Sequence, residues 1–439
     1  MASGHHLKEK HDNHKENMAF GALIKACAVK KDLSGGTRLH ADIVESGLLG
    51  KSPFLATTLV LMYVKCGVPS KAQEVLDELP YRNVISWSAL IAGYAEHEEG
   101  HKVFNCIEQM QSEGLSPDAI TFICILKACR NLKTIEKGKQ IHETIMNRDL
   151  LAKNTVLGTA LVDMYAKCGA LAKAQQVFDE FPVHTVVSWT TLISGYVQEG
   201  QCDEVLRRFE QMRCEGFSPD SVTFGCILKT CSNIGGYEKG KRIHKEIISR
   251  GLLHKSIDLG AALVDMYVKC GTLVKAQQVF DELPMHYLIT WNALIAGYAE
   301  HGYEFEALNC FKQMKFKGIV PNPITYVCIL GACGNIEATH EGQEIHAEIE
   351  RKGLLESNTL IGNILVEMYV KCGCIAEAQE VFGKLPSQDV VSSTLLISGF
   401  NKLGESEGAL YCFEKTKEDG ILSNVVSLIC TLKACGNMG

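Results

Sequence analysis

Apolar residues recur along this chain at intervals of three and four, in short stretches that come in pairs and are separated by turns. Between residues 186 and 220, one stretch ends near Gly200 and the next ends at Gly216; the second carries Val205, Leu206, Phe209 and Met212 at helical spacing. This spacing is typical of amphipathic helices, and glycine is frequent just after a helix ends. No alternation of apolar and polar residues predicts a strand, so we expect paired helices throughout.

One pattern recurs along the chain with a period of 102 residues. The motif Tyr-x-Lys-Cys-Gly begins at Tyr63, Tyr165, Tyr267 and Tyr369. The same spacing separates the tryptophans Trp87, Trp189 and Trp291, with Ser393 in the fourth place, and the histidines His40, His142, His244 and His346. A fixed period of this kind indicates a repeat architecture.

Each period divides into pieces of 36, 31 and 35 residues, which we call long, short and standard repeats. The twelve full repeats predicted are 17–52, 53–83, 84–118, 119–154, 155–185, 186–220, 221–256, 257–287, 288–322, 323–358, 359–389 and 390–424. Residues 1–16 are expected to form a disordered leader, and 425–439 a long repeat truncated after its first helix. Helices of about 12 to 14 residues are marginal alone, so the pairs are expected to stack into an α-solenoid.

Composition narrows the function classes. The chain has 439 residues, too many for one compact core, and its formal net charge of -7 excludes a uniformly basic shell. The 19 cysteines include no C-x-x-C pair, which favours buried free thiols in a reducing compartment. No apolar run reaches membrane-spanning length. The leader carries Glu9, Asp12 and Glu16 but no arginine, which is not typical of an organelle transit peptide.

The repeats resemble the pentatricopeptide repeat family. Standard repeats end in Gly-x-x-Pro, as at 114–117, 216–219 and 318–321; long repeats carry L-K-A-C and G-K-x-I-H, as at 126–129 and 138–142. The 36/31/35 cycle resembles the plant-type PLS subclass, here without a C-terminal deaminase domain. The resemblance implies a right-handed superhelical solenoid of helix-turn-helix repeats that binds single-stranded RNA at about one base per repeat. The rival tetratricopeptide repeat, a 34-residue peptide-binding unit, would not predict this cycle.

The resemblance assigns base recognition to the fifth and last residues of each repeat. The pairs that follow the family pattern, with the implied base, are Thr57 and Asn83 (A), Ser88 and Asp118 (G), Thr190 and Asp220 (G), Asn292 and Asn322 (C, or less strongly U), Asn363 and Asp389 (U), and Thr394 and Asn424 (A). A short polar residue early in a helix can equally be a cap or a solvated site.

Other repeats depart from that pattern. Thr159 with Thr185 and Ala261 with Tyr287 receive no base. The long repeats hold residues that cannot hydrogen-bond through the side chain at the fifth place: Gly21, Ile123, Gly225, Val327 and Ile429. Because the family binds RNA with the 5′ end at the N-terminal repeats, the implied target is N-A-G-N-N-G-N-N-Y-N-U-A-N, where N is unassigned and Y is C or U.

Two further sets of residues are implied as RNA contacts. The second residue of a repeat would insert between neighbouring bases, and the candidates are Phe54, Ile85, Val156, Val187, Ile289, Leu360 and Val391, with Asp258 breaking the series. The alternative is that these residues pack in the core. Phosphate contacts are expected at Lys65, Lys167, Lys269 and Lys371, which could instead complement the helix macrodipole. Lys127 and Lys229 are similar, but Gly331 interrupts their series.

The sequence predicts no enzyme. A deaminase needs H-x-E and C-x-x-C around zinc, and the one H-x-E, at His346 and Glu348, lies inside a repeat with no C-x-x-C after it. Cysteines five residues apart do not share a helix face, so no metal site and no cofactor are expected.

The expected partners are single-stranded RNA and an editing or processing enzyme recruited in trans, with no membrane and no small-molecule substrate. By family resemblance the compartment is a mitochondrion or chloroplast. The alternatives are a helical scaffold for proteins, or a degenerate truncated copy, as Ser393 and Ser423 in place of the expected Trp and Pro suggest.

Overall fold

The computed structural model describes residues 2–151, 154–180, 183–254, 256–386, 388–418 and 424–438, with the backbone alone for 2–15. Within these ranges every regular element is an α-helix. The helices are α1 Ala2–Lys30, α2 Leu33–Glu45, α3 Pro53–Lys65, α4 Pro69–Asp77, α5 Val84–Glu96, α6 Gly100–Ser112, α7 Ala119–Leu132, α8 Ile135–Asn147, α9 Thr155–Lys167, α10 Leu171–Asp179, α11 Val186–Gln198, α12 Cys202–Cys214, α13 Ser221–Ile234, α14 Tyr237–Ser249, α15 Ile257–Lys269, α16 Leu273–Glu282, α17 Leu288–Glu300, α18 Glu304–Phe316, α19 Pro323–Asn335, α20 Thr339–Arg351, α21 Leu354–Ser357, α22 Thr359–Lys371, α23 Ile375–Lys384, α24 Val390–Lys402, α25 Ser406–Glu418 and α26 Val425–Met438.

The chain forms two compact units, residues 1–220 and residues 221–439. In each unit, the first helix of a repeat packs on the second helix of the same repeat and on the first helix of the next, as α3 does on α4 and α5, and α15 on α16 and α17. From α3 onward, the first helix of each repeat begins at the residue where the sequence places the repeat's start. Each unit is therefore a stack of helical hairpins, in which short helices obtain their stability from neighbours.

Capping residues explain why the first helices begin where they do. The last residue of a repeat precedes the next first helix, and its side chain accepts a hydrogen bond from the backbone N–H of the third helical residue. This bond is made by Ser52, Asn83, Asp118, Asn154, Thr185, Asn322, Asn358, Asp389 and Asn424. Such a cap satisfies a backbone donor that has no partner within the helix.

The hairpin interior is filled by aromatic and aliphatic side chains, with one close approach in each long repeat. Trp87, Trp189 and Trp291 are completely buried. In the long repeats a glycine of the second helix touches a buried methionine of the next short repeat. A Cβ at Gly138, for example, would lie 2.5 Å from Met164 Sδ. The equivalent pairs are Gly36 with Met62, Gly240 with Met266 and Gly342 with Met368. The glycine of G-K-x-I-H is therefore required by packing.

The periodic histidines join long repeats to short repeats. In each case the imidazole Nδ1 lies 2.9 to 3.1 Å from a tyrosine hydroxyl of the following repeat, and the two rings meet edge to face. The pairs are His40 with Tyr63, His142 with Tyr165, His244 with Tyr267 and His346 with Tyr369. Burial lowers the pKa of all four imidazoles. These histidines are packing residues.

Two segments differ from the sequence prediction. The backbone is helical from Ala2, so residues 2–16, predicted as a disordered leader, continue into the first helix of repeat 17–52. This segment has no proline and several lysines and glutamates, which favour helix. A short helix, α21, also forms in the loop that ends repeat 323–358. Among the described residues, no helix combines the length and apolarity needed to cross a membrane.

We expect the stability of the chain to fall as the pH is lowered from 7.5 to 5.5. The folded pKa of the four histidines lies below the ordinary value of 6.5, so the unfolded chain binds more protons in this range. The stabilisation is therefore present above pH 6.5 and is lost below it. The measurement is urea unfolding at several pH values. His142→Gln with His244→Gln should flatten the profile, whereas the exposed His101→Gln should not. Equal wild-type stability at pH 5.5 and 7.5 would contradict this account.

Candidate nucleic-acid interface

The fifth and last residues of a repeat meet at one place in most of the predicted pairs. Because the last residue caps the next first helix, its side chain is held beside the first helix of its own repeat. The side-chain contacts are Ser88 to Asp118 at 3.4 Å, Thr190 to Asp220 at 3.5 Å, Asn292 to Asn322 at 3.1 Å, Asn363 to Asp389 at 3.0 Å and Thr394 to Asn424 at 3.5 Å. Five of the six predicted pairs are therefore in contact.

In two standard repeats, a threonine hydroxyl of the next repeat also hydrogen-bonds to the fifth and last side chains. Thr121 Oγ1 lies 2.7 Å from both Ser88 Oγ and Asp118 Oδ1. Thr325 Oγ1 lies 2.6 Å from Asn292 Oδ1 and 2.9 Å from Asn322 Oδ1. These bonds fix the orientation of the fifth and last side chains before any ligand arrives.

The hydrogen bonds leave different groups unpaired on Asp and Asn. Asp118 uses Oδ1 for the cap and for Thr121, and its Oδ2 has no partner among the described residues. Asn322 uses Oδ1 for the same purposes and for Asn292, so its Nδ2 donor is left. Asp118 therefore presents a hydrogen-bond acceptor and Asn322 presents a donor.

Three pairs differ from the others. Thr57 donates to the backbone carbonyl of Pro53 at 2.8 Å, and no bond joins it to Asn83 within the described residues. Thr159 likewise donates to the carbonyl of Thr155, while Thr185 forms a capping box with the Ser188 side chain. Ala261 has no polar group, and the side chain of Tyr287 is 37% exposed. The last two pairs are those to which no base was assigned.

The apolar residues at the second position are exposed. Phe54, Ile85, Val156, Val187, Ile289, Leu360 and Val391 have between 43% and 65% of their surface accessible. The second residues of long repeats are also exposed: Ile120, Val222 and Ile324 have 58% to 61% of their surface accessible. The alternative that these side chains pack in the core is therefore wrong. They form a stripe of apolar surface, of the kind that marks contact with a ligand.

A cavity in the unit 1–220 places the predicted positions on one surface. It has a volume of about 500 Å³ and is lined by the second-position residues Val156 and Val187, by Thr159 and Thr185, and by Ile123 of the preceding long repeat. Residues two, five and nine of a helix are three and four apart and share a face. We call the surface formed by positions two, five and nine of the first helices, with the last residues, the first-helix face.

Family models match much of the chain. A model of the PPR repeat family matches residues 82–131, 184–233 and 288–335, and a PPR repeat model matches 159–184, 363–390 and 391–421. A chloroplastic pentatricopeptide repeat-containing protein of Arabidopsis thaliana is 31% identical over 419 residues, covering 95% of this chain and 67% of the relative. The chain belongs to the pentatricopeptide repeat family.

Other pentatricopeptide repeat relatives are longer than this chain. A second chloroplastic protein of Arabidopsis thaliana is 34% identical over 420 residues, and a mitochondrial one is 34% identical over 417. The alignments cover 96% and 95% of this chain but 51% and 40% of those relatives. The chain therefore spans about half the length of these two proteins.

Solved structures share the helical-repeat fold. The crystal structure of the pentatricopeptide repeat protein PPR10 in complex with an 18-nt psaJ RNA element matches with a TM-score of 0.73 at 17% identity, over 89% of this chain and 59% of that one. A crystal structure of PPR10 from maize matches with a TM-score of 0.59 at 16% identity, over 94% of this chain and 70% of that one. At this identity the likeness shows the fold.

The four lysines at the ends of the short-repeat first helices are not equivalent. Lys269 is paired with Asp265 at 3.1 Å, and Lys371 is paired with Glu367 at 2.7 Å. Lys65 and Lys167 have no carboxylate within ion-pair distance among the described residues. The sequence did not distinguish them. An acid four residues earlier favours such pairing on a helix, and Lys167 also has one, Asp163, but Asp163 is bound by Arg130 at 2.6 Å.

The H-x-E sequence has a structural role. Glu348 accepts hydrogen bonds from Lys315 at 2.6 Å, from the Tyr326 hydroxyl at 2.7 Å and from Lys352 at 3.0 Å. Burial opposes ionisation, but these bonds lower the pKa of Glu348 to about 2.

Within the described residues, no cluster of three or more His, Cys, Asp or Glu side chains is placed to hold a metal ion. All 19 cysteines are free thiols.

We expect Asp118→Ala to lower the free energy of unfolding by about 1 kcal/mol, the usual cost of losing an N-cap. Asp118→Asn should have little effect, because an amide oxygen accepts the Thr121 N–H as a carboxylate does. Urea unfolding of the two variants beside the wild type checks this. Equal destabilisation by Ala and Asn would show that the cap does not hold this residue.

Proposed function

We propose that this chain is a sequence-specific, single-stranded RNA-binding adaptor of the PLS subclass, built from twelve repeats of 36, 31 and 35 residues and a further long-repeat helix. The observation that carries the proposal is the hydrogen-bonded pair of fifth and last residues, repeated on the first-helix face and bordered by exposed apolar side chains. A one-base-per-repeat mechanism needs two polar side chains aimed at one base and a surface on which bases stack.

The residual hydrogen-bonding groups favour the assigned purines. Guanine presents the N1–H and N2–H₂ donors on its Watson–Crick edge, and the unpaired Oδ2 of Asp118 is an acceptor for them. Adenine presents the N1 acceptor, which the Nδ2 donor of Asn83 or Asn424 matches. We therefore assign G to the repeats ending at Asp118 and Asp220, and A to those ending at Asn83 and Asn424.

The pyrimidine assignments rest on the same positions. Asn292 with Asn322 is assigned C or U, and Asn363 with Asp389 is assigned U. Burial opposes ionisation of Asp389, but hydrogen bonds from Ser392 and Asn363 lower the pKa of its carboxyl, so it remains an acceptor at neutral pH. Asn363 is buried, and its Nδ2 donates to Asp389 Oδ2 at 3.0 Å, which holds the two side chains of this pair together.

RNA binding of this kind would direct another protein to a transcript. We propose that the chain supplies recognition and not catalysis, and that an editing or other RNA-processing enzyme is recruited in trans. The chloroplastic and mitochondrial relatives support an organellar site of action. The exposed second-position residues, from Phe54 to Val391, would insert between successive bases.

The test is fluorescence anisotropy with the 13-mer N-A-G-N-N-G-N-N-Y-N-U-A-N at about 150 mM salt, because affinity depends on ionic strength. We expect the changes of both G to A to weaken binding by about 1–3 kcal/mol each, the usual cost of a mismatched bidentate contact. The double variant Asp118→Asn, Asp220→Asn should restore binding to the changed RNA, because each cap is kept and an acceptor becomes a donor.

A matched control uses the repeat with no assigned base. Thr185→Asn keeps a capping side chain in repeat 155–185 and should leave the preference at both G positions unchanged. Equal affinity for the 13-mer and for a scrambled RNA would exclude sequence recognition, and absence of RNA binding would favour the protein-scaffold alternative.

A further inference from the structure

The long repeats carry a basic residue on the first-helix face. Their ninth residues are Lys25, Lys127, Lys229 and Lys433, with Gly331 in repeat 323–358. The ninth residue lies four after the fifth and seven after the second, so it shares the face of the exposed apolar stripe. The fifth residues beside these lysines have no polar side chain, so no hydrogen bond to a base edge is available there.

These lysines are not neutralised by the protein. Among the described residues, no carboxylate lies within ion-pair distance of Lys25, Lys127 or Lys229. The ninth residues of three short repeats are acids, and each has a partner: Asp163 is bound by Arg130 at 2.6 Å, Asp265 by Lys269 at 3.1 Å and Glu367 by Lys371 at 2.7 Å. The net charge of each pair is zero, so at the ninth position the uncompensated positive charge lies on the long repeats.

One lysine shows where the charge lies relative to the apolar stripe. The Nζ of Lys25 is 5.2 Å from the ring centroid of Phe54, the second residue of the next repeat. The ammonium therefore lies over one face of the Phe54 ring, which places the positive charge at the apolar stripe. Val156 occupies the same position after Lys127, whereas Asp258, a carboxylate, occupies it after Lys229.

We propose that Lys25 and Lys127, and more weakly Lys229, are positioning residues that contact the RNA phosphates once every three repeats, and that Lys269 and Lys371 are not. Long repeats would then hold the backbone of the strand while short and standard repeats recognise its bases. Phosphate contacts fix register and contribute affinity that does not depend on sequence. The inference rests on the proposed RNA-binding function and adds the residues that hold the backbone.

The test compares two double variants of the full chain, Lys25→Gln with Lys127→Gln and Lys269→Gln with Lys371→Gln, on the predicted 13-mer and a scrambled RNA from 50 to 300 mM salt. Each phosphate contact to a single strand contributes about 0.7 to the slope of log affinity against log salt. The first variant should lower the slope by about 1.4 and the affinity by about tenfold at 150 mM, equally on both RNAs. The second variant should leave the slope unchanged.

Three results discriminate between the possible accounts. Lys25→Arg with Lys127→Arg should restore the wild-type slope, because the charge is retained, which a loss of folding would not allow; melting temperatures are measured in parallel. A slope lowered by the second variant and not by the first would overturn the inference while RNA binding stands. Absence of RNA binding by the wild-type chain would overturn the proposed function, and this inference with it.

Discussion

The hydrogen bond between the last residue of one repeat and the first helix of the next is the interaction on which the rest depends. It satisfies a backbone N–H that a short helix cannot satisfy itself. It also holds a polar side chain within reach of the fifth residue, as in Asn363 with Asp389 at 3.0 Å and Asn292 with Asn322 at 3.1 Å. Under the proposed function, a helix cap and a recognition group are therefore the same side chain, and the residue types suited to one task, Asp and Asn, are suited to the other.

The long, short and standard repeats make different packing contacts in the stack. The contacts between long and short repeats are the most specialised, with a histidine–tyrosine hydrogen bond and a glycine–methionine contact recurring every 102 residues. Standard repeats carry the buried tryptophans and the best-defined polar pairs. Because packing differs at each kind of junction, the period of the sequence is three repeats, although each repeat is one helical hairpin.

Much of this arrangement could be predicted from the sequence, because a strict period specifies the local contacts many times. The starts of α3, α5, α7 and the later first helices fall at the predicted repeat boundaries, since Asp, Asn, Ser and Thr before an apolar run are signals for a cap. The contact of Ser88 with Asp118 followed from the family pattern. The spacing of the histidines was visible in the sequence, but their bond to tyrosine was not, because the partners are 23 residues apart.

Other features could not be predicted from the sequence and are seen only in the structure. The exposure of Val156 and Val187 could not be deduced, because an apolar helical residue is more often buried. The hydroxyl of Thr325 reaches across a repeat boundary to Asn292, a contact that depends on three-dimensional packing and not on local pattern. Lys371 is neutralised by Glu367 on its own helix and also donates a hydrogen bond to Asn335 of the preceding repeat, and only the first contact is visible as a local spacing.

The central claim is that fifth and last residues recognise bases in the order of the repeats, and the most direct measurement is a single-nucleotide substitution scan of the 13-mer by anisotropy. The account predicts loss of affinity at the second, third, sixth, ninth, eleventh and twelfth positions. It predicts little change at the first, fourth, seventh, tenth and thirteenth, where the long repeats lie, and at the fifth and eighth. Uniform losses along the RNA, or losses concentrated at the long-repeat positions, would contradict it.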